Sequence, residues 1–142
     1  MNIDNSKIWI HSIWPTANKL PLILSEIEVK AYKIVADEFS NFNCKVELIN
    51  GTSDHLHILF LMNPMVSITE LVRQIQFETA KLINSECFNA GSFNWQSQPL
   101  VLSVSESQIP RLLEYIRIQK EIHKSKSFQA ELNEFKKLHA LI

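Results

Sequence analysis

Residues 44–62 carry the pattern that most restricts the fold, two strand-forming runs separated by a short polar segment. Residues 44–49 alternate apolar and polar side chains, whereas the run after Asp54, HLHILFLM, is almost continuously apolar. Alternation predicts a strand with one solvated face, and a continuous apolar run predicts a strand in the middle of its sheet. Asn50-Gly51 is a strong tight-turn signal. The segment therefore predicts a β-hairpin whose second strand is central.

The rest of the chain adds strands and helices around this hairpin. Residues 7–14 and 100–105 alternate as strands do, and apolar residues at helical spacing follow capping-box patterns at Ser25 and Ser67. A last helix is predicted over residues 110–125, followed by a short terminal helix. The order β-α-β-β-α-β-α predicts an α+β, ferredoxin-like fold (split β-α-β), with a four-stranded antiparallel sheet, helices on one face and an added C-terminal helix.

Composition indicates one folded domain. The chain has 142 residues, of which 46% are hydrophobic and 20% charged, and this balance argues against intrinsic disorder. Two cysteines make no disulfide framework, and the longest apolar run is far shorter than the ~20 residues that span a bilayer. We predict a single domain over residues 1–142, with the sheet and two helices in 1–106 and a helical segment in 107–142, located in the cytoplasm.

Charge is distributed unevenly along the chain. The net charge is −1, but residues 1–106 hold seven Lys/Arg against eleven Asp/Glu, and residues 107–142 hold seven against four. A local basic patch matters more to a polyanion than the overall sum does. The C-terminal segment is therefore the predicted contact for phosphates.

The sequence Asp54-His55-Leu56-His57 is the first candidate site. Because side chains alternate on a strand, His55 and His57 share one face and Leu56 faces the other. Two imidazoles on one rigid strand can give two nitrogens to one cation. The alternative for a bare His-x-His pair is structural, with one histidine in a turn and the other half-buried. Asp54 either orients a histidine or forms the turn before the strand.

The second candidate site is a polar stripe on the last predicted helix. Its members recur at every fourth position: Arg111, Tyr115, Gln119 and His123. Five cations surround the tyrosine: Arg111, Arg117, Lys120, Lys124 and Lys126. Such a stripe is also typical of an ordinary solvated helix face. A cationic neighbourhood attracts phosphates, however, and a phenol beside a captured phosphate is a candidate nucleophile.

Several ordered motifs resemble those of one enzyme family. The similarity covers the first strand with residues 18–23, Ile49-Asn50-Gly51, Asp54-His55-Leu56-His57-Ile58, Pro64 with Ser67-Ile68 and Leu71-Val72-Arg73, Phe93-x-Trp95-Gln96, Ser103-Val104-Ser105, and Tyr115-Ile116-x-x-Gln119 followed by His123-Lys124 and Ser127-Phe128. In this order they are similar to the small single-tyrosine HUH transposases of bacterial insertion sequences, which move single-stranded DNA. The resemblance extends over nearly the whole chain.

The resemblance implies a mechanism. His55, His57 and the side-chain carbonyl of Gln119 would hold a divalent cation, Mg²⁺ or Mn²⁺, beside the scissile phosphate. Tyr115 would attack that phosphate and form a 5′-phosphotyrosine with a free 3′-hydroxyl. A phenol that titrates near ~10 needs a cationic setting to be a competent nucleophile at neutral pH.

The resemblance also implies partners. The substrate would be single-stranded DNA with hairpin ends, in the bacterial cytoplasm at the nucleoid, with no membrane involved. The enzyme would be a homodimer in which the tyrosine helix of one chain can complete the site of the other. The expected DNA contacts are Lys19, Arg111, Arg117, Lys120, His123, Lys124 and Lys126.

Three alternatives remain at this point. One is a domesticated nuclease that processes repeats by the same chemistry. Another is a ferredoxin-like module that binds nucleic acid without catalysis, whose sheet would display aromatic and basic residues where this one displays two histidines. The last is a small metal-binding or structural dimer, which would leave the Tyr115 and Gln119 pair unexplained.

Overall fold

The computed structural model describes residues 5–87 and 92–141, and these form an α+β, ferredoxin-like domain. The strands are β1 (Trp9–Pro15), β2 (Lys45–Thr52), β3 (His55–Leu61) and β4 (Leu100–Val104). The helices are α1 (Glu28–Asn41), α2 (Ile68–Cys87), α3 (Ile109–Arg117), α4 (Gln119–Ile122) and α5 (Phe128–Leu138). The strand order is β2-β3-β1-β4 and every neighbouring pair is antiparallel, which confirms the predicted fold class.

Helices α1 and α2 cover one face of the sheet. The main core lies between these two helices and the sheet. It includes Trp14, Phe39, Leu56, Phe60 and Ile75, whose side chains are almost fully buried. Leu56, Ile58 and Phe60 belong to this core because alternate β3 side chains point to the helices. The predicted division of the two faces of β3 is therefore confirmed.

The opposite face of the sheet is covered as well, by the three C-terminal helices. One small core joins Trp9 and Leu59 to Ile109 and Ile116, and another joins Ile13 to residues of α5. Strand β3 is therefore buried on both faces, which explains its continuous apolar sequence. Its two histidines lie on this second face, under the C-terminal helices. Within the described residues, every helix is too short or too polar to cross a bilayer.

The hairpin forms, but the predicted turn is wrong by three residues. Asn50 and Gly51 lie inside β2, where Gly51 pairs with Leu56, and the turn falls on Ser53 and Asp54. The strands approach so closely that a Cβ on Gly51 would lie 2.1 Å from the carbonyl oxygen of His55. Glycine is needed there for close backbone approach rather than for a turn.

The last predicted helix, residues 110–125, is interrupted. Ile118 (φ −98°, ψ 20°) separates α3 from the short α4. The Asn50 side chain donates to the carbonyl oxygens of Ile116 at 2.9 Å and Arg117 at 3.0 Å, at the C-terminal end of α3. A tertiary contact from β2 thus stabilises a helix end that local sequence does not signal.

The capping box predicted at Ser25 does not form. Helix α1 begins at Glu28 after Ile27, and the Ser25 hydroxyl is directed at the adjacent Glu26 carboxylate, 3.4 Å away. Glu28 instead accepts from Tyr32 and forms an ion pair with Lys120 on α4. The start of α1 is therefore fixed by tertiary contacts rather than by a local cap.

Candidate active site

The paired histidines lie side by side on the second face of the sheet. His55 and His57 are both fully buried, and their ring centroids are 5.2 Å apart. Phe128 of α5 stacks on His55 at 3.9 Å between centroids and an interplanar angle of 8°. The predicted shared face is confirmed, and the cover is a ring from the C-terminal helix.

Each histidine has its Nδ1 nitrogen held by a neighbour. His55 Nδ1 lies 2.8 Å from Asp54 Oδ1 and 3.0 Å from the Thr52 hydroxyl. His57 Nδ1 lies 2.8 Å from Nε2 of His11, another buried ring. Such contacts fix ring orientation and leave Nε2 to face the interior of the site. Asp54 combines both roles proposed for it, since it sits in the turn and holds His55.

Tyr115 and Gln119 reach the same place from α3 and α4. Gln119 is fully buried and its Oε1 lies 2.9 Å from His55 Nε2. The ring of Tyr115 packs edge-on to His57 with centroids 5.9 Å apart. All four residues of the predicted centre therefore come together within one chain.

Glu131 of α5 links these four residues, and the sequence reasoning missed it. Its carboxylate accepts from the Tyr115 hydroxyl and from Gln119 Nε2 at 2.7 Å, and its other oxygen lies 3.2 Å from His57 Nε2. A signal was present in the sequence. The apolar stripe of α5 runs through Phe128, Leu132 and Phe135, and Glu131 interrupts it on the same face.

His55, His57, Tyr115, Gln119 and Glu131 form one cluster, and burial shifts pKa values within it. Burial lowers the pKa of His57, and burial followed by the hydrogen bond to Glu131 raises the pKa of Tyr115 above its ordinary value. Burial alone would raise the pKa of Glu131, but hydrogen bonds from His57, Tyr115 and Gln119 hold it well below its usual range. The expected cationic setting around the phenol is therefore not what this arrangement provides, because a carboxylate contacts it instead.

Most of the predicted DNA-contacting cations are paired with carboxylates. Ion pairs join Arg117 to Glu114, Lys120 to Glu28, Lys124 to Glu121 and Lys126 to Glu134. Lys19 follows β1 and lines an open cavity that Lys136 also lines. His123 belongs to the cluster itself, because its Nε2 lies 3.1 Å from Gln119 Oε1 and 3.0 Å from Glu131 Oε1.

Two open cavities flank α5 beside the cluster. One, of about 560 Å³, is lined by Asp54, Lys120, His123, Lys126 and Phe128 among others. The other, of about 430 Å³, is lined by His11, Arg111, Tyr115, Phe135 and His139 among others. Arg111 and the ring of Tyr115 thus share one cavity wall. One cavity adjoins the start of α5 and the other its end, whereas His55, His57, Gln119 and Glu131 are fully buried.

The donor set of the cluster suits a metal ion. His55, His57 and Glu131 each offer a ligand atom, and these atoms all lie within 4.8 Å of one another. The oxygen of Gln119 adds a further donor next to His55. Imidazole nitrogens together with carboxylate and amide oxygens are ligands that divalent cations take in proteins.

Comparisons with known proteins give a family and a fold. The family model described as IS200-like transposase matches residues 4–119. A candidate transposase from Deinococcus radiodurans R1, solved at 1.90 Å, is 21% identical, with a TM-score of 0.66 over 84% of this chain and 98% of that one. A REP-associated tyrosine transposase bound to a REP hairpin is 11% identical, with a TM-score of 0.62 over 87% of this chain and 74% of that one. No curated protein sequence matches the chain.

Proposed function

Since the chain belongs to the family of IS200-like transposases, we propose that it cleaves and rejoins single-stranded DNA with Tyr115 as the nucleophile. One observation carries the proposal. The hydroxyl of Tyr115, the amide of Gln119 and Nε2 of His57 all contact one carboxylate, and His55 Nε2 adjoins Gln119. A nucleophile and a set of metal ligands thus meet at one point, as phosphoryl transfer requires.

Tyr115 carries the covalent step. Its phenolic oxygen bonds to the scissile phosphorus while the bond from phosphorus to O3′ breaks, so the 5′ end is held as a phosphotyrosine. The phenol gives up its proton and the departing O3′ gains one. Rejoining is the reverse reaction, in which a 3′-hydroxyl attacks the phosphotyrosine and releases Tyr115. The phosphodiester bond energy is kept throughout, so no nucleotide cofactor is needed.

His55, His57 and Gln119 are the proposed protein ligands of the divalent cation, Mg²⁺ or Mn²⁺. The fit rests on their geometry, because both histidines have Nδ1 held by a neighbour and Nε2 turned into the cluster. A bound cation would polarise the scissile phosphate and offset the negative charge that develops on it. The chain's own contribution is to orient two imidazoles and one amide in a site without water access.

The substrate must displace α5 from the cluster. His55, His57, Gln119 and Glu131 are all fully buried, so a phosphate cannot reach them in this arrangement. Burial, and then the hydrogen bond to Glu131, raises the pKa of Tyr115 in this closed arrangement, so the phenol is protonated there.

The proposed substrate is single-stranded DNA with hairpin ends. The proposed DNA contacts are Lys19, Arg111, Arg117, Lys120, His123, Lys124 and Lys126. Arg111, Lys120, His123 and Lys126 line the two cavities beside the cluster, Lys19 lines a third cavity, Arg117 ends α3 and Lys124 follows α4. Four of them must exchange a carboxylate for a phosphate on binding. A homodimer is part of the proposal, but exchange of the tyrosine helix is not needed to complete the site, since one chain supplies every group.

The two tyrosines of the chain allow a matched test. The protein is incubated with Mn²⁺ and single-stranded hairpin oligonucleotides taken from the DNA that flanks its gene, and covalent adducts are detected by denaturing electrophoresis. Tyr115→Phe should abolish the adduct and retain DNA binding, whereas Tyr32→Phe on α1 should retain both. Adduct formation by Tyr115→Phe would refute the nucleophile assignment. Binding without any adduct in the wild type would favour the non-catalytic nucleic-acid-binding module.

A further inference from the structure

Glu131 is a buried carboxylate on the apolar face of α5. Its side chain has no exposure, and its neighbours on that face are the buried Phe128 and Leu132. It lies beyond residues 4–119, the part of the chain that the family model matches. A buried charge is costly unless partners compensate it, so the surroundings of this carboxylate indicate what it binds.

The contacts of Glu131 Oε1 have the spacing of ligands around one ion. This oxygen lies 3.2 Å from His57 Nε2 and 3.5 Å from His55 Nε2. Ligand atoms bonded at about 2.1 Å to a common cation are roughly 3.0–3.4 Å apart in tetrahedral or octahedral sites. The two distances from Glu131 Oε1 are therefore close to ligand spacing, and all three ligand atoms lie within 4.8 Å of one another.

The cluster has fewer hydrogen-bond donors than its close polar contacts require. Both nitrogens of His55 face oxygen acceptors, Asp54 Oδ1 on one side and Gln119 Oε1 on the other. Reversing the Gln119 amide would instead set its carbonyl oxygen 2.7 Å from the Glu131 carboxylate. A neutral imidazole has one N–H, so with Glu131 ionised no placement of hydrogens gives every one of these contacts a donor.

His123 shows the same shortage of protons. Its Nδ1 faces the carbonyl oxygen of Lys126 at 2.8 Å, and its Nε2 faces Gln119 Oε1 and Glu131 Oε1. The cluster also contains two carboxylates, Glu131 and the Asp54 that holds His55. One divalent cation would balance both carboxylates and give the Nε2 lone pairs a partner.

We propose that Glu131 is a ligand of the divalent cation in the resting protein, so that α5 closes over the site by binding the metal. The inference rests on the proposed function for its cation, and it adds a carboxylate to the ligands His55, His57 and Gln119. Glu131 then holds the coordination position that a phosphate oxygen of the DNA takes when α5 is displaced. Because only the docked helix supplies this ligand, metal binding and α5 docking stabilise each other.

Glu134 provides a matched control on the same helix. It is an exposed glutamate whose carboxylate pairs with Lys126, so Glu134→Gln makes the same chemical change away from the cluster. The affinity of the full chain for Mn²⁺ is measured by the electron paramagnetic resonance signal of the free ion. Glu131→Gln should bind Mn²⁺ at least tenfold more weakly than the wild type. Glu134→Gln should stay within twofold of it, and His57→Ala serves as the reference for loss of a proposed ligand.

A measurement on the wild type avoids any effect of the substitution on folding. Amide hydrogen exchange of peptides covering residues 128–138 is compared with and without Mn²⁺, and protection should rise when the metal is added. Lower protection with Mn²⁺ would overturn the inference. So would an affinity for Mn²⁺ in Glu131→Gln that equals or exceeds that of the wild type, because the metal would then displace the carboxylate instead of binding it.

The outcomes separate this inference from the proposed function. If His57→Ala loses affinity and Glu131→Gln does not, the metal site stands and only the role of Glu131 is overturned. If neither variant loses affinity, the metal ligands proposed for the reaction are wrong too. Adduct formation at Tyr115 is scored separately, because it does not depend on which groups bind the ion.

Discussion

His11 and His57 are joined on adjacent strands by a ring-to-ring contact of 2.8 Å between Nε2 of the first and Nδ1 of the second. The two rings are stacked, with centroids 5.1 Å apart, and both are buried. Burial, and then the neighbouring His57, lowers the pKa of His11 well below its ordinary value, so this ring is neutral. A neutral His11 can accept the Nδ1 proton of His57, so that in the metal-bound protein the Nε2 lone pair of His57 would point at the cation.

Removing this contact should weaken metal binding without removing a ligand. His11→Phe keeps an aromatic ring of similar size but cannot bond to His57, and we expect its Mn²⁺ affinity to fall by about 10–100-fold. His139→Phe is the control, since His139 is exposed at the end of α5 and stacks only loosely on Phe135. Isothermal titration with Mn²⁺ measures both variants. Equal affinity in His11→Phe and the wild type would rule out a positioning role for His11.

The fold class and the shared face of His55 and His57 were predicted from local periodicity, whereas the resemblance to a known family is what implied that Tyr115 and Gln119 join them. Alternation on β3 placed His55 and His57 on one face, and spacing by four on the last helix kept Tyr115 and Gln119 together. Single residues at regular spacing are enough to define such faces. Both predictions survived a helix break between Tyr115 and Gln119, because the two side chains still reach the same carboxylate.

Features set by tertiary contact were not predicted. No glycine or proline in the sequence marks the helix break at Ile118. The break is stabilised by a hydrogen bond from Asn50, which lies on a strand distant in sequence. Asn50-Gly51 was interpreted as a turn because that dipeptide favours turns. In the structure Gly51 lies inside β2, where the close approach of β3 leaves no room for a Cβ atom. Glu131 was missed because α5 was treated as a short terminal helix, and only its docking shows that a charge lies on its apolar face.

Asn50→Ala tests the tertiary contact at the helix break. The carbonyl oxygens of Ile116 and Arg117 lose their donor, and we expect the free energy of unfolding to fall by about 1–2 kcal/mol. Asn41→Ala is the control, because Asn41 is exposed on α1 and its side chain bonds to Glu38 in the same helix, so its effect should stay within about 0.5 kcal/mol. Urea unfolding followed by circular dichroism measures both. Similar stabilities for the two variants would mean that water replaces the Asn50 amide at no cost.

Gly51→Ala tests the close approach of the hairpin strands. The new Cβ would meet the carbonyl oxygen of His55 at 2.1 Å, and because this neighbour is backbone the whole strand must move. We expect a loss of at least about 2 kcal/mol in the free energy of unfolding, together with weaker Mn²⁺ binding as His55 shifts. Ser53→Ala, in the exposed turn of the same hairpin, should leave both quantities close to wild type. Wild-type stability in Gly51→Ala would show that the hairpin adjusts freely.

Arg111→Ala tests the path of the DNA past the nucleophile. Arg111 is exposed and shares a cavity wall with Tyr115, so a phosphate near the phenol should contact it. Each phosphate contact to a single strand contributes about −0.7 to the slope of log K against log salt concentration, and its loss should make the slope less negative by that amount. Lys33→Ala is the control, because Lys33 lies on α1, across the sheet from the site. Binding of a labelled single-stranded hairpin, measured by fluorescence anisotropy at several salt concentrations, gives both slopes. An unchanged slope in Arg111→Ala would place the DNA on the other side of α5, where Lys120 and Lys126 line the larger cavity.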